Sequence, residues 1–69
     1  MVNTEMLNEA IRESGLKRGH IADAIGVSRA SLARKMTGKT EFTASEIVGL
    51  TSVLQLTRSA RDQIFLQAQ

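Results

Sequence analysis

The 69-residue chain contains no cysteine and one histidine, His20. Without cysteine there is no disulfide and no thiolate metal site, and nothing ties the protein to an oxidising compartment. A lone histidine with no cysteine beside it supplies neither a zinc ligand set nor a catalytic dyad, so His20 is expected at the surface or facing a phosphate. No glycine-rich phosphate loop is present, and scattered Ser, Asp and Glu residues show no arrangement of nucleophile and base. The chain is also too small to enclose a substrate. No apolar run approaches the ~20 residues of a membrane span. Met1 to Ser14, which carries Glu5, Glu9, Arg12 and Glu13, does not read as a signal peptide. These absences point to a soluble cytoplasmic protein that is not an enzyme and uses no metal and no cofactor.

What is present fits one domain, residues 1–69, because a chain of this length cannot hold two cores. At this size only about 60% of the unfolded surface is buried, so stability is marginal and dimerisation helps. The formal net charge is +2, but the charges are segregated. Residues 1–16 are acidic, with Glu5, Glu9 and Glu13 against Arg12. Residues 17–39 hold Lys17, Arg18, Arg29, Arg34, Lys35 and Lys39 against Asp23 alone. Residues 40–69 are close to balanced, with Arg58 and Arg61 against Glu41, Glu46 and Asp62. A basic stretch of this kind is either a solvated face or an electrostatic footprint for phosphate.

Apolar periodicity predicts helices throughout. Asn3 or Thr4 caps a first helix with Met6, Leu7, Ala10 and Ile11 on one face, and Gly15 ends it with Leu16 folding back. A second helix spans about Arg18 to Ile25 and stops at Gly26, although Lys17 is a poor cap and Gly19 is costly in a helical turn. Lys17 and Arg18 at that helix start suit phosphate, held by side chains and backbone amides, and Gly19 leaves room for a phosphate-bearing backbone to come close. A third helix begins at the cap Ser28, runs to Met36 or Thr37, and ends at Gly38 with Leu32 and Met36 facing inward. Phe42 closes the core beneath the following loop. Thr43 and Glu46 form a capping box for a fourth helix with Ile47, Leu50, Val53 and Leu54 as its core stripe. Thr57 or Ser59 caps a fifth helix ending in three consecutive apolar residues, Ile64, Phe65 and Leu66, of which one helix face buries only two.

The second and third helices deserve a joint reading. In RGHIADAIGVSRASLARKMT, Arg18 to Thr37, Ala22 permits close backbone approach and Gly26 takes a left-handed turn cheaply. Ile21, Ile25, Val27 and Leu32 hold the pair to a core. That pattern is a helix-turn-helix.

The segment GLKRGHIADAIGVSRASLARKMTGK resembles the DNA-binding unit of the Cro and lambda-repressor-like family of phage and bacterial transcriptional regulators. The continuation GKTEFTASEI is similar to that of small phage-type regulators, and the resemblance covers nearly the whole chain. It implies an all-α, compact five-helix domain that binds double-stranded DNA at a pseudo-palindromic operator and represses by blocking polymerase. The first, second and sixth residues after the recognition-helix cap, here Arg29, Ala30 and Arg34, are then base-contacting, with Ser31 beside them. Lys39 and Thr40, in the loop after that helix, are then phosphate contacts alongside Lys17 and Arg18. The family commonly dimerises through its C-terminal region, which makes Phe65 or Leu66 the expected homodimer contact. Relatives usually carry an aliphatic residue where Lys35 stands. Either Met36 takes that core role, or the Lys35 stem lies across the core edge with its ammonium in water. The competing class is a protein–protein interaction module, an antirepressor or antitoxin-like partner, on the same fold. Such an adaptor would show acidic or apolar residues where Arg29 and Arg34 stand.

Overall fold

The computed structural model of the chain describes residues 2–65. Five α-helices and no strands occur among them: α1 (Thr4–Ser14), α2 (Arg18–Ile25), α3 (Arg29–Met36), α4 (Ala44–Val53) and α5 (Arg58–Phe65). None is long and apolar enough to cross a membrane.

The helix starts follow from side-chain caps. Asn3, rather than Thr4, caps α1 by accepting the Met6 amide at 3.1 Å. The Ser28 hydroxyl accepts the Ser31 amide at 3.0 Å at the head of α3. At α4 the capping box is complete, with the Glu46 amide on Thr43 Oγ1 and the Thr43 amide on Glu46 Oε1. Thr57, rather than Ser59, caps α5 through the Ala60 amide at 3.0 Å. Only α2 begins on a residue, Lys17, whose side chain makes no capping hydrogen bond.

The turn between α2 and α3 depends on Gly26. Its φ of 79° lies in the left-handed region. It lets the Gly26 amide donate to Asp23 O and the Val27 amide to Ala22 O, so the last carbonyls of α2 are satisfied before α3 starts. The end of α3 repeats the device: Gly38 donates to Lys35 O and Lys39 to Arg34 O. The end of α4 repeats it once more with Gln55, whose φ is 53° although it has a side chain.

Each helix places one fully buried aliphatic at the centre: Leu7, Ile21, Leu32, Leu50 and Ile64. Ile11, Ala22, Met36 and Phe65 complete the buried set. Trimming any of the five to alanine would cost ~2–5 kcal/mol, a large share of the ~5–15 kcal/mol that holds a typical domain together. The expected α4 stripe is buried at Leu50, while Ile47, Val53 and Leu54 pack half-buried around it. α2 lies against both α3 and α4, and α1 against α3 and α5. The α2–α4 crossing is close because position 49 is glycine. A β-carbon there would stand 3.0 Å from Ile25 Cγ2. At the edge of the core, Phe42 meets Phe65 edge to face, with ring centroids 5.5 Å apart. The Asn3 amide donates to Ile64 O at 2.7 Å and ties the first turn of the fold to its last.

Candidate nucleic-acid interface

The helix α3 is packed on one side only. Leu32 and Met36 are buried, while Arg29, Ala30, Ala33, Arg34 and Thr37 are exposed. These five recur at i, i+1, i+4, i+5 and i+8, so they share one face. Ser31 is half-buried at the margin of that face. Ala33 and Thr37 carry no charge to mark them in the sequence, although their spacing from Arg29 places them with it. Between two arginines, Ala30 and Ala33 leave a low surface, and Thr37 closes the row by donating its hydroxyl to Arg34 O at 2.9 Å.

Cations flank both ends of the face. At its start, Lys17 and Arg18 are exposed on the uncapped first turn of α2. That turn touches α3 directly: a β-carbon on Gly19 would lie 3.4 Å from Arg29 Cδ and 3.7 Å from Arg29 Nε. The side of Gly19 expected to admit a DNA backbone is thus covered by the Arg29 side chain. At the other end, Lys39 and Thr40 are exposed in the loop that leaves α3. α3 itself, eight residues at ~1.5 Å rise, is roughly 12 Å long.

Five of the six cations in residues 17–39, namely Lys17, Arg18, Arg29, Arg34 and Lys39, have no ion-pair partner among the described residues. Lys35 differs from them. Its ammonium stands 3.1 Å from Glu46 Oε1 and donates to Glu41 O at 3.0 Å, with only 12% of the side chain exposed. Met36 does take the buried position, and the Lys35 ammonium is held by Glu46 and the Glu41 carbonyl. The Glu46 carboxyl lies below the usual glutamate range, first because the Thr43 amide donates to it and then, against the opposing effect of burial, because of Lys35.

A family model described as a helix-turn-helix domain matches residues 8–64. The chain belongs to the helix-turn-helix domain family. The matched span runs from α1 into α5 and includes the Gly26 turn and the whole of α3. No curated protein and no solved structure matches the chain. Within the helix-turn-helix domain, α2 is the supporting helix and α3 occupies the recognition position, as the Cro and lambda-repressor-like resemblance implies.

The two residues expected at a dimer contact fall differently. Phe65 is 7% exposed and belongs to the core of its own chain, against Phe42. Leu66 lies outside the described residues. His20 is exposed, as its lack of partners suggests.

Proposed function

We propose that this helix-turn-helix domain is a sequence-specific double-stranded DNA-binding transcriptional regulator of the phage or prophage repressor or Cro-like type. The observation that carries this function is the set of five cations, without ion-pair partners among the described residues, on and around the exposed face of α3. A phosphate backbone is matched by such a concentration of positive charge, and an adaptor would more naturally show acidic or apolar residues at Arg29 and Arg34. In this assignment Arg29 and Arg34 donate to guanine edges, Ala30 meets a thymine methyl, and Ser31 contacts a base from the margin. Lys17, Arg18, Lys39 and Thr40 hold phosphates at the two ends and fix the register of α3 in the major groove.

A homodimer sets two recognition helices ~34 Å apart on a pseudo-palindromic operator, and occupancy of that site excludes polymerase. The support for a C-terminal dimer contact is that Ile64 and Phe65 already take the inward positions of α5. Leu66, the third of the apolar run, is the residue we assign to the twofold contact.

Selection of the purified protein against a randomised duplex library at ~150 mM salt tests this function, since weak phosphate-only binding is suppressed there. Two inverted half-sites about one turn apart are expected. A single enriched half-site would remove the dimer. No enrichment by folded protein would overturn DNA reading in favour of an interaction module.

A further inference from the structure

Lys35 is the one cation of residues 17–39 with an ion-pair partner among the described residues. Lys35 reaches from the last turn of α3 to Glu46 in the first turn of α4, 3.1 Å away. The same Glu46 oxygen accepts the Thr43 amide at 2.9 Å, so one atom caps α4 and anchors α3. Lys35 also donates to Glu41 O at 3.0 Å and stands 5.9 Å from the centre of the Phe42 ring. Between these anchor points runs the loop that carries Lys39 and Thr40. Its near end is fixed by the Gly38 and Lys39 amides on Lys35 O and Arg34 O. Its far end is fixed at Glu41 and Thr43 by Lys35 and Glu46.

We propose that Lys35 and Glu46 are positioning residues for DNA binding: their ion pair holds the end of the recognition helix and the Lys39–Thr40 loop in the geometry that meets the phosphates, without touching DNA. The proposal rests on the DNA-binding function above. The ammonium is committed to two acceptors on its own chain and is largely shielded from solvent, so it is not a phosphate ligand. An ordered loop presents Lys39 and Thr40 already in place, which spares the complex the cost of ordering them.

The test uses Glu46→Gln and Lys35→Met. Glutamine retains the capping box and loses only the charge, and methionine keeps the stem beside Phe42. Affinity is measured for the duplex enriched by wild-type protein, across ~50–200 mM salt, with fold checked by circular dichroism. Simple electrostatics makes Glu46→Gln bind tighter, because a negative charge is removed from a DNA-binding protein. Positioning makes it bind weaker, by about tenfold, ~1.4 kcal/mol. Lys35→Met is expected to weaken binding similarly with an unchanged salt slope, and the double variant to be no worse than either single one. Amides 38–42 of the free variants should exchange faster than in wild type.

Glu46→Gln affinity equal to or above wild type would overturn the proposal alone. So would a fall of ~0.9 in the slope of Lys35→Met, which would make Lys35 a phosphate contact. Should Glu46→Gln not fold, Lys35→Met carries the same comparison. Wild-type protein that enriches no duplex would overturn the DNA-binding function and this proposal together.

Discussion

Arg29, the first residue of the recognition helix, lies along the face of Gly19 in the helix before it, with Cδ 3.4 Å from where a β-carbon would stand. The glycine that weakens the start of α2 is therefore the seat of a side chain assigned to base reading. A residue that is poor for local structure is kept where something must pass close to the backbone. Arg29 is exposed at the head of α3 with its stem against Gly19.

The first expected outcome concerns that seat. In Gly19→Ala the methyl meets Arg29 at ordinary van der Waals distance, so the fold should gain ~0.5–1 kcal/mol and DNA preference should persist. In Gly19→Leu the side chain takes the space of Arg29. Stability should hold while discrimination at one base pair falls by ~1–3 kcal/mol, the worth of a bidentate arginine contact. Thermal melts and library selection on both variants check this; unchanged selectivity in Gly19→Leu would separate Arg29 from base reading.

Arg34 sits in the last turn of the same exposed face, with no ion pair among the described residues. Arg34→Ala should relax base preference at one position in each half-site, by ~1–3 kcal/mol. Competition between the selected duplex and single-base variants measures it. Equal loss on every duplex would reassign Arg34 to phosphate.

Lys39 has an exposed side chain and a backbone amide pinned to Arg34 O at 3.1 Å. Its loop should survive substitution, so Lys39→Ala isolates the charge. All duplexes should bind more weakly by a similar factor, and the slope of affinity against salt should fall by about one. An unchanged slope would take Lys39 out of the interface.

Much of this architecture is legible in the sequence because it is written in local chemistry. Ser28 and Thr43 cap where they were expected to, Gly26 and Gly38 turn where a left-handed residue was needed, and Leu32 and Met36 share a buried face. Where two caps competed, at Asn3 or Thr4 and at Thr57 or Ser59, a shift of one or two residues gave no local signal strong enough to choose. Lys35 was open for a different reason. Its partner Glu46 lies eleven positions away on another helix, and only the folded turn at Gly38 brings them together. Gly49 was silent too, because close packing against Ile25 is a property of two helices and not of one. Ala33 and Thr37 were legible in spacing but carry no charge to draw notice.

Gln55 offers a stability test remote from the interface. It holds φ 53° at the end of α4, and its amide and that of Leu56 donate to Ser52 O and Thr51 O. A left-handed conformation costs a residue with a β-carbon ~1–2 kcal/mol, and glycine returns part of that gain through its freer unfolded chain. Gln55→Gly should therefore raise stability by about 0.5–1 kcal/mol by denaturant melt, with DNA affinity unchanged. A loss of stability would mean that the Gln55 side chain supports the turn.

The Glu46 carboxyl also makes stability depend on pH in a stated direction. Its folded-state pKa is lowered, by the Thr43 amide first and by Lys35 with it. The stability it contributes is complete above the ordinary glutamate value of ~4.3 and is lost as pH falls through the lowered value. Glu46→Gln cannot titrate there, so the stability gap between wild type and this variant should be widest near neutrality and narrow on acidification. Glu9 is lowered too, through its hydrogen bond to Arg12, but it is an exposed surface group present in both proteins, so the comparison cancels it. Melting temperatures of the two proteins from about pH 7 down to about pH 3 decide the matter. A gap that stays constant across that range would mean that the Glu46 charge, and with it the pair to Lys35, does not stabilise the fold.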